Sequence, residues 1–305
     1  MRKPDARPQQ LLVLKGWPSV RDFVRLVKRY AVNGDGLQYG ELTEEWRRSS
    51  AVVETFERTP QSARLMTALP ESISQTADAL LRDPRTAHCF ELFRPQWAMV
   101  ELEQLIPWQK YLNLSYTDEL RRPEFAEPTP DDLLRFVAGE TAQAPEVSLT
   151  ATRGGSGFVF SSGSSDMRLL DIGAIDPILL QGRQYFGRVA AVLAVVVGYS
   201  MNIVSAVRMG ERIVLLNGTH RVYALLAQGI KRAPCLVSHA RSASDLELLA
   251  PLANGNQPLE WHFSYPRPPQ LRDFFDDRIT KLISTVPATT VLALELTFSQ
   301  ANVPV

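Results

Sequence analysis

The chain has 305 residues, of which 45% are hydrophobic and 22% are charged, and its formal net charge is zero. This length and composition suit one large or two modest folded domains with an ample core. The balanced charge argues against a protein that coats nucleic acid, because phosphate neutralisation requires a surplus of lysine and arginine, although it leaves room for a local basic patch. The two cysteines, Cys89 and Cys235, supply neither a disulfide framework nor a four-ligand zinc site.

The amino-terminal residues lack the continuous apolar core of a signal peptide. The longest apolar run, residues 189–199, is too short to span a bilayer. Together these features predict a cytoplasmic protein without a membrane partner.

The first part of the chain has the spacing and capping signals of helices, and we predict a helical N-terminal module over residues 1–92. Its first helix, ending at about Tyr30, has an apolar face and a basic face formed by Arg21, Arg25, Lys28 and Arg29. The basic face is a candidate surface for an acidic partner, or an ordinary solvated face. Further helices are predicted over residues 43–58, 60–69 and 71–81.

Residues 97–106 alternate in hydrophobicity and predict the first strand of a core domain over residues 93–240. On one strand, Glu101 and Glu103 share a face, where paired carboxylates serve as a base, hold magnesium, or simply line an exposed surface.

An insertion is predicted at about residues 120–170, and a C-terminal extension that packs on the core over residues 241–305. The glycine-rich residues 152–157 lie between two short strand patterns and are typical of a hairpin tip, since no helix follows them as in a phosphate loop. Residues 189–197 fit a core strand or a buried helix, and periodicity does not decide between them.

Residues 203–237 have the densest pattern, in the order strand, turn, strand, glycine elbow, helix, strand. The elbow is Asn217-Gly218, Thr219 is predicted at the N-cap position of the helix, and Gly229 ends the helix. A helix N-terminus presents unpaired amides and a partial positive charge, which suits an anion. Gly218 permits close approach of a ligand, and His220 and Arg221 add hydrogen-bonding or cationic side chains. The pattern therefore predicts a phosphate site.

The residues Leu216-Asn217-Gly218-Thr219-His220-Arg221, followed by Ala224-Leu225, Gly229 and Ala233-Pro234, resemble the helix-start box of the ParB/sulfiredoxin superfamily. Upstream, residues 100–109 with Pro107-Trp108-Gln109 resemble the entry strand and P-x-Q segment of the same domain. The resemblance implies an α+β fold with a ParB/sulfiredoxin-like mixed sheet and a nucleotide site.

This chain departs from the motifs of the superfamily at several positions, and each departure argues against one of the activities that the resemblance implies. Sulfiredoxins use a cysteine directly after the elbow glycine, where this chain has Thr219. Partition proteins carry a helix-turn-helix domain after the nucleotide domain, and no such pattern follows Val237. Free-serine kinases carry D-G-H-H-R at the elbow and a glutamate in the entry turn. Gln109 stands at that glutamate position, so Glu103 or Glu101 would have to act as the base.

The leading hypothesis is a nucleotide-binding protein, as a phosphotransferase or nucleoside triphosphatase, that uses ATP or CTP with Mg²⁺. Its catalytic candidates are Glu103, His220 and Arg221. Its binding candidates are Asn217, Gly218, Thr219, His220, Arg221 and Gln109. The alternatives are a non-catalytic protein-interaction module with a possible protein partner, and a nuclease or regulator that acts on nucleic acid, which the net charge disfavours.

Overall fold

The computed structural model describes residues 8–17, 19–56, 65–90, 94–139, 146–152, 157–164, 167–176, 178, 187–199, 202–249, 258–286 and 290–297. The chain divides into two compact units. The first unit comprises residues 1–141 and 201–286, and the second comprises residues 142–200 and 287–305.

The first unit mixes helices and strands. Its α-helices are α1 (Val20–Tyr30), α2 (Tyr39–Glu54), α3 (Glu71–Arg82), α4 (Pro84–Cys89), α5 (Leu114–Leu120), α6 (Pro130–Ala138), α7 (Thr219–Ala227), α8 (Ala243–Leu249) and α9 (Leu259–Ser264). Short 3₁₀ helices cover Gly34–Gly36, Leu102–Gln104, Pro123–Ala126 and Leu271–Phe275.

The strands of both units, in chain order, are β1 (Gln9–Leu14), β2 (Met66–Thr67), β3 (Gln96–Glu101), β4 (Ile106–Pro107), β5 (Tyr111–Asn113), β6 (Ser148–Ala151), β7 (Gly157–Ser162), β8 (Met167–Ile175), β9 (Val192–Tyr199), β10 (Ser205–Met209), β11 (Arg212–Asn217), β12 (Arg232–His239), β13 (Thr280–Thr285) and β14 (Thr290–Glu295). Strands β6 to β9 and β14 belong to the second unit.

A mixed six-stranded sheet in the order β2-β3-β12-β10-β11-β4 is central to the first unit. Strands β10 and β11 form an antiparallel hairpin, and α7 then returns the chain so that β12 runs parallel to β10. The inner strands β10, β11 and β12 are almost continuously apolar and buried, as expected for strands covered on both faces. Their core includes Leu215, Leu225 and Leu236.

Helix α6 has start and stop signals in its own sequence. Thr129 and Asp132 form a capping box, Pro130 occupies the first helical position, and Gly139 ends the helix with a positive φ of 75°. Because α6 and α5 belong to the first unit, the inserted segment begins at about residue 142 and extends to residue 200. This differs from the predicted insertion at about residues 120–170.

The N-terminal helices are not separate from the core, in contrast to the predicted module over residues 1–92. Strand β1 lies between β13 and β5, with antiparallel pairing to both. The carboxylate of Glu45 on α2 accepts hydrogen bonds from Lys15 at 2.8 Å and Lys281 at 2.7 Å. These contacts join the start and the end of the first unit, so residues 241–286 are also an integral part of it.

The second unit is built from strands in the residues described. Strands β14, β7 and β6 form one antiparallel sheet, and β8 pairs antiparallel with β9. Residues 189–197, undecided from the sequence, therefore contribute to a strand. The flanks of the glycine-rich tract pair antiparallel, with Ala151 opposite Phe158, as expected of a hairpin, while residues 153–156 lie outside the described residues. Among the helices described, none has the length and apolarity needed to cross a bilayer.

Because His262 is buried, we expect the first unit to lose stability in acid. Its ring is fully buried, and it contacts Trp261 edge-on with ring centroids 4.9 Å apart. Burial, reinforced by the charge of Lys110, lowers the pKa of His262 from 6.5 to about 3. Since the folded protein favours the neutral ring, its stabilising contribution is complete above pH 6.5 and declines as the pH falls toward 3.

The variant His262→Phe should therefore show a smaller loss of unfolding free energy than the wild type between pH 7 and pH 5, measured by urea denaturation. Above pH 7 the difference between the two proteins should be independent of pH. Parallel pH profiles for the two proteins would contradict this assignment.

Candidate functional site

The two segments singled out in the sequence meet in the central sheet. Strand β3 pairs antiparallel with β12, with Val100 opposite Ala233. Strand β4 pairs parallel with β11, with Pro107 opposite Leu215. Residues more than a hundred positions apart in the chain are thus brought to one sheet, and the segment after β4 reaches the start of α7.

The elbow has the conformation that its glycine predicts. Strand β11 ends at Asn217, Gly218 has φ 91° and ψ 18°, and α7 begins at Thr219. A β-carbon at Gly218 would lie 2.6 Å from Cγ2 of Val204, so both the backbone angle and the available space require glycine. The first amides of α7 have no acceptors within the helix and carry a partial positive charge. An anion is therefore the favoured ligand at this end of α7.

His220 in the first turn of α7 is an uncharged hydrogen-bond donor at neutral pH. Its Nε2 accepts a hydrogen bond from the backbone N–H of Asn113 at 2.9 Å, so the neutral ring carries its proton on Nδ1. Burial, and then the charge of Arg221, lower the pKa of His220 from 6.5 to about 4. The imidazole can thus donate to a ligand oxygen but does not supply a positive charge.

Aromatic rings continue from His220 across the surface of α7. Tyr116 on α5 contacts His220 edge-on, with centroids 5.4 Å apart. One helical turn after His220, Tyr223 stacks on Phe275 with centroids 4.7 Å apart and an angle of 11° between the rings. The sequence interpretation did not include Tyr223, although its spacing of three residues from His220 places it on the same helix face.

Arg221 does not have the predicted role of a phosphate ligand or charge-stabilising catalytic group. Its side chain is only 5% exposed. The guanidinium donates to the carbonyls of Val137 at 2.8 Å and Phe136 at 3.3 Å, and to Oδ1 of Asn202 at 2.7 Å. Because the last carbonyls of a helix lack N–H donors within the helix and carry a partial negative charge, a cation is favoured there. Arg221 therefore caps the C-terminus of α6.

Glu101 and Glu103 do not form the predicted pair on one strand face. Strand β3 ends at Glu101, and Leu102–Gln104 turn as a 3₁₀ helix. Glu101 forms an ion pair with Arg232 at 3.1 Å, and Glu103 lies 3.8 Å from Lys231. Each carboxylate thus has its own cationic partner, an arrangement unlike a shared base or magnesium site.

The remaining predicted residues lie around the elbow without converging on a metal. The side chain of Gln109 lies close to the side chain of Tyr111. Asn217 is half-buried opposite Ser205, and Thr219 is buried. Within the described residues, no group of three or more His, Cys, Asp or Glu side chains is placed to hold a metal ion.

Comparison of the chain with protein-family models, with curated proteins and with solved structures found no match.

Proposed function

We propose that this chain is a nucleotide-binding protein with a ParB/sulfiredoxin-like fold, and that it holds the phosphates at the N-terminus of α7 without transferring them. The observation that carries the proposal is the elbow. A left-handed Gly218 places the first amides of α7 and the His220 Nδ1–H donor in one turn. The pairing of β3 with β12 and of β4 with β11 supports the family resemblance, because both resembling segments contribute to one sheet.

The side chains favour binding over phosphoryl transfer. Transfer requires a group that positions or deprotonates the acceptor and a positive charge that stabilises the transferred phosphoryl. Arg221 is committed to helix α6, and Glu101 and Glu103 are paired with cations of β12 and the residue before it. The elbow retains neutral donors, which suffice to hold phosphate oxygens in place.

ATP or CTP remains the proposed ligand, and Mg²⁺ would enter as part of the nucleotide complex. The described carboxylates do not fit a site in which the protein itself holds magnesium.

Nucleotide should raise the melting temperature of the protein, because a ligand that binds only the folded state stabilises it. The test compares ATP, CTP, their diphosphates and inorganic tripolyphosphate, each with Mg²⁺. His220→Ala should reduce the shift, whereas His239→Ala, which changes an exposed histidine at the end of β12, should retain it. Absence of any shift with all these ligands would refute the proposal.

Exposed apolar strands in the second unit favour protein interaction as the second candidate function. Leu170, Ile172 and Leu193 on strands β8 and β9 are 50%, 48% and 65% exposed. A two-stranded ribbon has little stability alone, and exposed apolar patches commonly mark protein contacts. Sedimentation velocity of the wild type and of Leu193→Glu tests the simplest case, self-association. A wild type that associates and a monomeric variant would support this candidate, and a monomeric wild type would exclude self-association.

A further inference from the structure

We propose that the base of the bound nucleotide stacks on the outer face of Phe275, beside the guanidinium of Arg272. This inference rests on the proposed function and deepens it, since it separates a nucleotide site from a site for inorganic phosphates. The residues concerned lie outside the segments that resemble the superfamily.

Phe275 is a supported ring with one face open. Its inner face stacks on Tyr223, with the rings 4.7 Å apart and nearly parallel. Tyr223 in turn contacts the buried Phe274 edge-on, with centroids 6.2 Å apart. Phe275 nevertheless remains 49% exposed, which is high for a phenylalanine held in a stack. A third planar ring would extend this stack, as bases do on aromatic side chains.

Arg272 supplies a positive charge on the same side of the chain. Arg272 and Phe275 are separated by three residues in the 3₁₀ helix Leu271–Phe275, and side chains with that separation are aligned along such a helix. Arg272 is exposed, and within the described residues its guanidinium has no ion pair or hydrogen bond. Of the neighbouring carboxylates, Asp273 and Asp276 are paired with Arg267 and Arg278, and Asp277 is exposed. A base stacked on Phe275 would lie beside the exposed Arg272 side chain.

Tyr223 connects the exposed ring of Phe275 to helix α7. His220 and Tyr223 are neighbours on α7, with about 5–6 Å expected between their β-carbons. Phe275 stacks on Tyr223 with ring centroids 4.7 Å apart, so the exposed ring lies against the helix whose N-terminus holds the phosphates in the proposed function.

The experiment measures the affinities of ATP and inorganic tripolyphosphate by titration calorimetry for the wild type, Phe275→Ala, Phe275→Trp and Tyr39→Ala. Phe275→Ala should weaken ATP by about tenfold or more, the size of a lost base–aromatic stack, and leave tripolyphosphate unchanged. Phe275→Trp should retain ATP binding and report it by quenching of the new indole. Tyr39→Ala, which removes another exposed aromatic ring, should match the wild type.

The outcomes separate the two proposals. If the wild type binds both ligands and Phe275→Ala weakens neither, or weakens both equally, base stacking is wrong and the phosphate site stands. If the wild type binds tripolyphosphate and ATP with equal affinity, base stacking is also wrong. If it binds neither, the proposed function fails and this inference fails with it.

Discussion

Replacing Arg221 with leucine should lower the free energy of unfolding by about 3 kcal/mol, because three acceptors, two of them buried, lose their charged donor. Two of these acceptors are the Phe136 and Val137 carbonyls at the end of α6, and the third is Oδ1 of Asn202. Arg221→Lys should rescue only part of the loss, since an ammonium group does not reproduce the planar arrangement of donors. Urea denaturation monitored by circular dichroism measures both variants.

The matched control is Arg135→Leu on α6. Arg135 is 61% exposed in its side chain and pairs with Asp131 at 2.8 Å, so its removal should change stability little. If Arg221→Leu were as stable as the wild type but failed to bind nucleotide, the capping role would be wrong and the role predicted from the sequence would be restored.

Breaking the buried ion pair between Arg267 and Asp273 should cost about 3–5 kcal/mol, because one charge remains buried without its partner. Two hydrogen bonds of 2.9 and 2.8 Å join the side chains, which are 8% and 5% exposed. Asp273 also accepts the amide of Gln270. Asp273→Asn keeps the shape and removes the charge, so its unfolding free energy in urea tests the electrostatic contribution directly.

A nearby pair provides the comparison. Asp276 and Arg278 are joined at 2.7 Å, but the arginine side chain is 66% exposed. Asp276→Asn should therefore destabilise the protein much less than Asp273→Asn. The double variant Arg267→Met/Asp273→Leu should lose less than the sum of its single variants, because neither charge is left unpaired. Equal losses for Asp273→Asn and Asp276→Asn would contradict the role of burial.

The buried polar side chains stabilise the fold, and a different set of residues forms the candidate binding surface. The buried arginines hold helix ends and the C-terminal segment in place. Phe275 lies two residues after Asp273, so the same ion pair that stabilises the 3₁₀ helix Leu271–Phe275 also positions the exposed ring. Variants that break the Arg267–Asp273 pair should therefore weaken ligand binding in addition to lowering the free energy of unfolding.

The sequence predicted the local conformation around α7 because the signals there are local. Glycine is required at position 218 because the backbone angle is positive and the side chain of Val204 leaves no room for a β-carbon. The β-branched residues of the neighbouring strands favour an extended conformation whatever distant segment the strands pair with. The start of α6 was equally predictable, since Thr129, Pro130 and Asp132 satisfy each other within one turn.

The contacts that long polar side chains make could not be predicted from the sequence in the same way. Arg221 lies one residue after His220, yet it points to α6, which is more than eighty residues away in sequence. Glu101 and Glu103 would share a face only if the strand continued past Glu101. The chain instead turns into a 3₁₀ helix at Leu102, so the two side chains are not on one strand face. Such orientations depend on tertiary contacts that periodicity does not contain.

The domain boundaries depended on tertiary contacts as well. Strand β1 has only six residues, and its position between β13 and β5 follows from pairing with segments about 100 and 270 residues away. Tyr223 and Phe275 show the same limitation, since they stack although they lie in separate segments of the chain.

The most direct test of the central claim is an NMR titration of the ¹⁵N-labelled protein with tripolyphosphate and then with ATP. If the N-terminus of α7 binds phosphate, the amide signals of Thr219 and His220 should shift in a saturable manner with both ligands. Saturable binding that leaves these two amides unchanged, or no saturable shift anywhere, would contradict the account.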